Sequence, residues 1–341
     1  MFFGFDDDQV AFRDAVRDLL DKECPAEVVR AAGEAPAGRL DRGVWDRLAE
    51  MGVLASLVPE ASAGLGLDEQ ALVLVLEETG RAGLPHPIVD TAAVAAPLAA
   101  GGSGGSGGSG GPRPAGAGDA HRLGMVATDL AGPHVACAAD ADWLLLHDGA
   151  RHALHLVDPA AVVLSPVDTV DRARRAATVD WQPAPETLVA DDPATIHLAF
   201  DRGAFGAAAQ LVGLGQRMLD ITVAYVVERQ QFGVPIGSFQ AVKHHLADAL
   251  KELAFARPAV YRAAHSLAAG LDTRARDVSM AKAMASDAAW FVGRRALQCH
   301  GAIGYTVEHD LQLYLKRTWA LAKAWGDPAW HRDRVGAAIG I

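Results

Sequence analysis

Two segments combine charge, aromatic rings and glycine at spacings that suit phosphate and ring recognition: RQQFGVPIGSFQ (229–240) and QCHGAIGY (298–305). In the first, Arg229 offers a guanidinium that is always charged and can grip a pyrophosphate bidentately, and Phe232 beside it offers a flat face for a heteroaromatic ring. In the second, Gln298 sits beside Gly301 and Ala302, whose small side chains let a ligand approach the backbone. A plainer reading of the first segment is structural, a helix end at which Arg229 pairs with Glu228 and Phe232 enters the core.

Other constellations carry less chemistry. His244 and His245 are adjacent in a helical pattern and so point apart, without the i, i+4 geometry of a metal pair, and no metal site is expected. Cys24, Cys137 and Cys299 lie far apart with no C-x-x-C, which reads as three reduced thiols. G-x-S-x-G occurs only within the Gly/Ser run, whose serines sit in a linker that could not hold a nucleophile. The run GGSGGSGGSGGPRPAGAG (101–118) reads as a flexible linker, because a phosphate loop would need GK[ST] and a following helix where this run meets PRP.

Composition narrows the class. In 341 residues, 31 Lys+Arg stand against 42 Asp+Glu, a net charge of −11, with 50% hydrophobic and 21% charged residues. That describes a globular chain of two or three domains and excludes disorder, collagen and a disulfide scaffold. An acidic chain with no long basic run is not expected to bind nucleic acid, since phosphate neutralisation supplies most of that affinity. The start, MFFGFDDD, has no basic n-region and too short an apolar run for a signal peptide or a membrane span, so a cytoplasmic protein is expected.

The elements that must position these residues follow in the order helices, strands, helices. Phe12, Val16, Leu19 and Leu20 mark one helix behind Asp6 to Asp8; Trp45, Leu48 and Met51 mark a second before Gly52; a third opens at Asp68 and closes at Gly80 and Gly83 before the breaker PHP (85–87). Between 122 and 190 the chain turns to short β-leaning runs, read as a small antiparallel domain. From Phe200 the helical period returns, with Leu211, Leu214, Met218, Ile221 and Tyr225 on one seam and further helices around 239–269, 274–298 and 307–324.

With both signatures on one chain, the sequence resembles the acyl-CoA dehydrogenase family. RQQFGVPIGSFQ fits that family's RxxFGxxI run between the first two helices of the C-terminal bundle, and QCHGAIGY fits its Q-x-x-G-x-x-G-[YF] run, followed by the arginine-bearing LYLKR (313–317). The stretch 48–83 is similar to the family's first domain, so the resemblance spans both helical domains, roughly two thirds of the chain. It implies a mainly α fold with a small β domain: an N-terminal helical domain (1–100), the Gly/Ser linker (101–118), a reduced β domain (119–199) and a C-terminal four-helix bundle (200–341). It also implies FAD, held across a subunit interface in a dimer-based tetramer. The cofactor contacts it assigns are Arg229, Phe232, Phe239, Gln240, Gln298, His300, Gly301 and Ala302.

The departures from the family are as informative. Acyl-CoA dehydrogenation removes an α-proton while a β-hydride passes to flavin N5, which requires a carboxylate base at the thioester α-carbon. The family keeps that Glu either in a Y-E-G-T turn after the arginine-bearing helix or at the start of the first C-terminal helix; the corresponding positions here are Gly326 and Gly203. Asp327 is one residue off and shorter, Glu228 and Glu308 read as solvated helix-end charges, and no catalytic residue is assigned. Gly326 is expected to leave room for an acyl group arriving from a partner. ATDLAGPHV (127–135) fills the slot of the family's T-E-P-x-x-G-S-D loop without its Glu-Pro or Ser, so a degenerate flavin-ring site is expected. The pattern resembles half of a heteromeric enzyme, like the α2β2 acyl-CoA dehydrogenases of actinobacterial sterol side-chain degradation. The implied partners are a homologous catalytic subunit, an acyl-CoA and an electron-transfer flavoprotein. A homo-oligomeric dehydrogenase with an atypical base and a cofactor-free scaffold subunit stay open beside it.

Overall fold

The computed structural model describes residues 4–34, 38–101 and 123–341; apart from Gly101, the Gly/Ser run at 101–118 lies outside the described residues. Helix α1 (Asp7–Glu23) starts from a capping box in which Asp6 accepts from the Gln9 N–H and the Gln9 side chain returns the contact. Helices α2 (Ala26–Glu34) and α3 (Gly43–Glu50) follow. In α4 (Glu69–Ala82) Asp68 caps the N–H groups of Gln70 and Ala71, and Gly83 ends the helix in the left-handed region. The short α2 was not legible in the sequence. Nor was the π-helical stretch Val89–Ala95, fully buried, that leads into α5 (Ala96–Gly101).

The strands form a mixed sheet rather than the antiparallel one expected. Strand β1 (Val126–Thr128) runs parallel to β2 (Trp143–Asp148), which pairs antiparallel with β3 (Ala153–Val157), while β4 (Val163–Pro166) and β5 (Ala177–Asp180) make a separate hairpin. A short β6 (Leu188–Ala190) closes the first sheet against β3. Ahead of β2, Val135 makes a single antiparallel bridge to Ala177 and 136–140 are turn rather than strand, with Ala138 buried from an irregular segment whose Asp140 is tied to Arg175 and to the Leu40 N–H.

The 36-residue α6 (Pro193–Glu228) is the spine of the molecule. It starts seven residues ahead of Phe200, where Asp192 caps Thr195 and Pro193 occupies the first turn, a start the apolar periodicity alone could not reveal. Its middle, from Gly203 to Gly215, is buried throughout, against α4 on one side and α8 on the other. Helices α7 (Gln240–Ala268), α8 (Arg274–His300) and α9 (Leu311–Lys323) complete the bundle, and α10 (Pro328–Ile339), unforeseen in the sequence, packs on α8. Cys24, Cys137 and Cys299 are buried free thiols. Among the described residues no helix is long and apolar enough to cross a membrane.

Candidate functional site

The two signature segments meet at one end of the bundle. Helix α6 stops at Arg229, whose N–H still donates to the Tyr225 carbonyl (2.8 Å) but whose backbone is extended. A two-residue hairpin follows, β7 (Gln230–Gln231) with β8 (Val234–Pro235), and its turn residues Phe232 and Gly233 both take positive φ (54° and 81°). That left-handed pair matches the twist of the flanking strands and throws Phe232 outward, 93% exposed, its ring edge-on to Phe239 at 6.2 Å. Arg229 is exposed and has no ion-pair partner among the described residues, Glu228 included. Phe232 is therefore not core and Arg229 is not spent on Glu228, contrary to the plainer reading. Phe239 and Gln240 are exposed where α7 begins.

At the end of α8, Gln298 and Ala302 are exposed, and Gly301 (φ 63°, ψ −139°) has nothing within 4 Å of where a Cβ would stand. His300 is different: it is 4% exposed, stacked on Tyr225 at 4.4 Å and edge-on to His309 at 4.6 Å, with Nδ1 on the Ala296 carbonyl (2.8 Å). Burial lowers its pKa and keeps the ring neutral. His300 thus lies under the surface as the buckle between α6 and α8, and not on the open face beside Gln298 as a direct contact would require. Tyr225, its stacking partner, was legible only as a seam residue. An open guanidinium, an open aromatic face and an open glycine suit the ADP half of FAD. Here α6 and α8 present C-terminal ends and α7 its N-terminus, so helix ends of both signs meet, with the Arg229 guanidinium open beside them for a pyrophosphate.

The two family base positions also come together, elsewhere on the molecule. A Cβ on Gly203 would fall 2.2 Å from the Trp325 ring, so the indole occupies the space a side chain at 203 would need. Trp325 is 2% exposed, holds a left-handed backbone (φ 59°) and donates its N–H to the Ala131 carbonyl (2.9 Å), which seats the loop after β1 on this turn. Gly326 does not open a space: a Cβ there would meet Trp330 at 2.7 Å and His331 Nε2 at 2.9 Å, so the room expected for an incoming acyl group is filled by α10. The Asp327 carboxylate caps α10 by accepting the Trp330 N–H (3.0 Å) and pairs with Lys323 (3.2 Å). Those two contacts, the Trp330 N–H first, hold its pKa below the usual carboxylate value, the wrong direction for a proton acceptor.

Two buried groups that the sequence did not single out lock this turn. Lys282 Nζ donates to the carbonyls of Gly326 (3.1 Å) and Ala322 (3.2 Å) and to Ser286 Oγ (3.3 Å), and burial pulls its pKa down to about 7. His331 bridges the Trp325 carbonyl (Nε2, 2.8 Å) and Ser279 Oγ (Nδ1, 3.1 Å); burial lowers its pKa to about 4. A lysine inside the apolar seam of α8 was the available signal. Beside the turn lies a cavity of about 50 Å³, lined by Ala207, Leu321, Ala324 and Trp325 and by polar groups of three segments, Asp90, Arg174 and Arg317 among them.

Comparison with known proteins agrees with this architecture. The family model described as acyl-CoA dehydrogenase, N-terminal domain, matches residues 6–104, and that for the C-terminal domain matches 194–340. "Acyl-CoA dehydrogenase IpdE2" of Mycolicibacterium smegmatis is 34% identical over 329 residues, covering 96% of this chain and 97% of that protein. Among solved structures, the ChsE4–ChsE5 complex from Mycobacterium tuberculosis superposes with TM-score 0.86 at 22% identity over 100% of this chain and 99% of the other. The Tcur3481–Tcur3483 steroid acyl-CoA dehydrogenase does so at 0.83 and 24% over 98% of each chain. Family models fit both helical domains, a relative aligns from end to end, and the fold positions the paired signatures at one surface: the chain belongs to the acyl-CoA dehydrogenase family.

Proposed function

We propose that this chain is the subunit of a heteromeric, FAD-dependent acyl-CoA dehydrogenase that supports the ADP half of the flavin while a homologous partner subunit carries the catalytic Glu. FAD would supply hydride acceptance; this chain's part is to bind and to neutralise. Arg229 compensates the pyrophosphate, Gln298, Gly301 and Ala302 let the ligand lie against backbone, and Phe232, Phe239 and Gln240 flank it. His300 positions that surface from beneath.

The observation that carries the reading is the Trp325 ring packed on Gly203. Neither base position bears a side chain, the indole fills the space between them, and the adjoining cavity of about 50 Å³ is far below the roughly 300–1,000 Å³ of ordinary ligand pockets. A thioester and its base have no place there. The assembly proposed is α2β2, with the 200–341 bundle at its centre and the 1–100 and 119–199 domains outside. Support comes from the ChsE4–ChsE5 and Tcur3481–Tcur3483 structural neighbours, the second a steroid acyl-CoA dehydrogenase, which makes steroid side-chain CoA thioesters the proposed substrate class. An electron-transfer flavoprotein is the proposed acceptor. Three buried thiols suit a reducing cytoplasm.

The test is flavin stoichiometry. Co-purified with a homologous chain that carries the family Glu, the complex should hold one FAD per two subunits, read from absorbance against protein mass. One FAD per chain would refute the degenerate ring site; a colourless complex would leave only the scaffold function.

A further inference from the structure

The cavity beside the Trp325 turn gathers more cationic donors than the protein satisfies. Arg317, 7% exposed, gives Nε to Asp171 and Nη1 to the Leu84 carbonyl (2.8 Å), while its buried Nη2 has no partner among the described residues. Arg174 also lines the cavity, and its guanidinium makes no ion pair within 4 Å among the described residues; it feels Asp171 and Asp90 only at longer range, and burial lowers its pKa. His86 Nε2 meets the Asp41 carbonyl (2.8 Å), which makes Nε2 the protonated nitrogen and leaves the buried Nδ1 as an unpartnered acceptor.

The charges around the cavity decide what it would take. The titratable groups lining it are His86 and Asp90 from the N-terminal domain, Cys137 and Arg174 from the β domain, and Arg317 from α9, with Asp171 paired to Arg317. Burial holds His86 neutral and pushes the Cys137 thiol up to about 12, so neither carries charge near neutrality. Asp171 is spent on Arg317. Asp90 is fully enclosed, accepts the Thr128 N–H (3.3 Å), and is pushed by burial up to about 7, so below neutrality the site holds two guanidinium charges against one carboxylate. A volume of about 50 Å³ admits about three or four water-sized groups, too little for an acyl chain and enough for a small anion.

We propose that this cavity is a binding site for a small planar oxyanion of the carboxylate or bicarbonate class, gripped by Arg317 Nη2 and the Arg174 guanidinium. Planarity matters because a guanidinium fork matches two coplanar oxygens and not a sphere. Bicarbonate would add an O–H to face His86 Nδ1. Bound there, the anion ties together the N-terminal segment 85–90, the β-domain turn 171–174 and α9, so its occupancy reads out as stability of the whole chain. The inference does not rest on the assignment of FAD or of the base.

The experiment titrates the full-length chain with potassium formate, acetate or bicarbonate, with potassium chloride at equal ionic strength as the control, following the melting temperature and the calorimetric isotherm. Saturable one-to-one binding with a melting temperature raised above the chloride control is expected. Arg174→Gln should weaken it about 10–100-fold, the loss of one charge-assisted contact. Arg174→Lys should restore charge without restoring the preference for planar anions. Binding should weaken from pH 6 to pH 8 as Asp90 ionises, and Asp90→Asn should abolish that pH dependence while leaving formate bound, a readout that a merely folded or unfolded variant would not give. No saturable effect, equal effects of formate and chloride, or an unchanged isotherm in Arg174→Gln would overturn the proposal.

Discussion

At the scale of single residues, three positions carry testable consequences. Arg229 is exposed and without an ion-pair partner among the described residues, so Arg229→Ala should lower flavin occupancy of the assembled protein by about tenfold or more, measured by absorbance after gel filtration. Asp327 is engaged as a helix cap, and Asn caps as well as Asp does. Asp327→Asn should therefore leave the melting temperature within about 4–8 °C and turnover within a few-fold of the parent, whereas removing a true general base costs about 10²–10⁴-fold. A collapse of turnover in that variant would return the base to this chain. Gly203 is filled from outside by Trp325; even Gly203→Ala should cost about 1–3 kcal/mol in urea unfolding, because the added methyl would stand 2.2 Å from the buried indole and force it to shift.

At the scale of elements, the turn between α9 and α10 is held by a charge where the chain is driest. Lys282 anchors the carbonyls of Ala322 and Gly326, and its pKa falls from 10.5 to about 7 because burial penalises the ammonium. The unfolded chain therefore binds more protons than the folded one between those two values. Stability from this group is present above the unfolded value of 10.5 and is lost as pH falls toward the folded value of about 7, a slope of up to about 1.4 kcal/mol per pH unit. Lys282→Met should remove that slope from urea-unfolding measurements between pH 7.5 and 9.5, whatever it does to absolute stability. The β7–β8 hairpin shows the opposite economy of burial. Its type of turn needs positive φ at both central residues, and putting Phe232 rather than Asn there sacrifices local comfort to project an aromatic ring into the solvent.

At the scale of the molecule, the apolar surface left by the bundle is not scattered. Val223, Val227, Phe232 and Phe239 are exposed around the hairpin, Leu250 and Phe255 along α7, and Met280, Met284 and Trp290 along α8. Patches of this kind on a folded chain mark surfaces that another protein covers. Expressed alone, the chain should self-associate or bind the hydrophobic dye ANS, and co-expression with the homologous Glu-bearing chain should yield a discrete complex of four chains by light scattering. Dye binding unchanged in that complex would argue against the bundle as the shared interface.

The sequence by itself determined the element order, the caps at Asp6 and Asp68, the stop at Gly83 and the two family signatures, because caps, periodicities and glycine stops act over a few neighbouring residues. It also showed that Gly203 and Gly326 lack a carboxylate, which needs no geometry. Only the tertiary structure decided that Trp325 packs on Gly203, that Trp330 and His331 fill the space at Gly326, and that His300 lies beneath Tyr225 and not on the open face. Those are contacts between residues from 4 to 122 positions apart, 326 against 330 and 203 against 325, and they are set by how α6, α8 and α10 cross. The parallel pairing of β1 with β2 belongs with them, since a strand's pattern fixes which face is buried and not the direction of its neighbour. The same holds for Arg174 and Arg317, 143 positions apart, which packing draws to one small cavity.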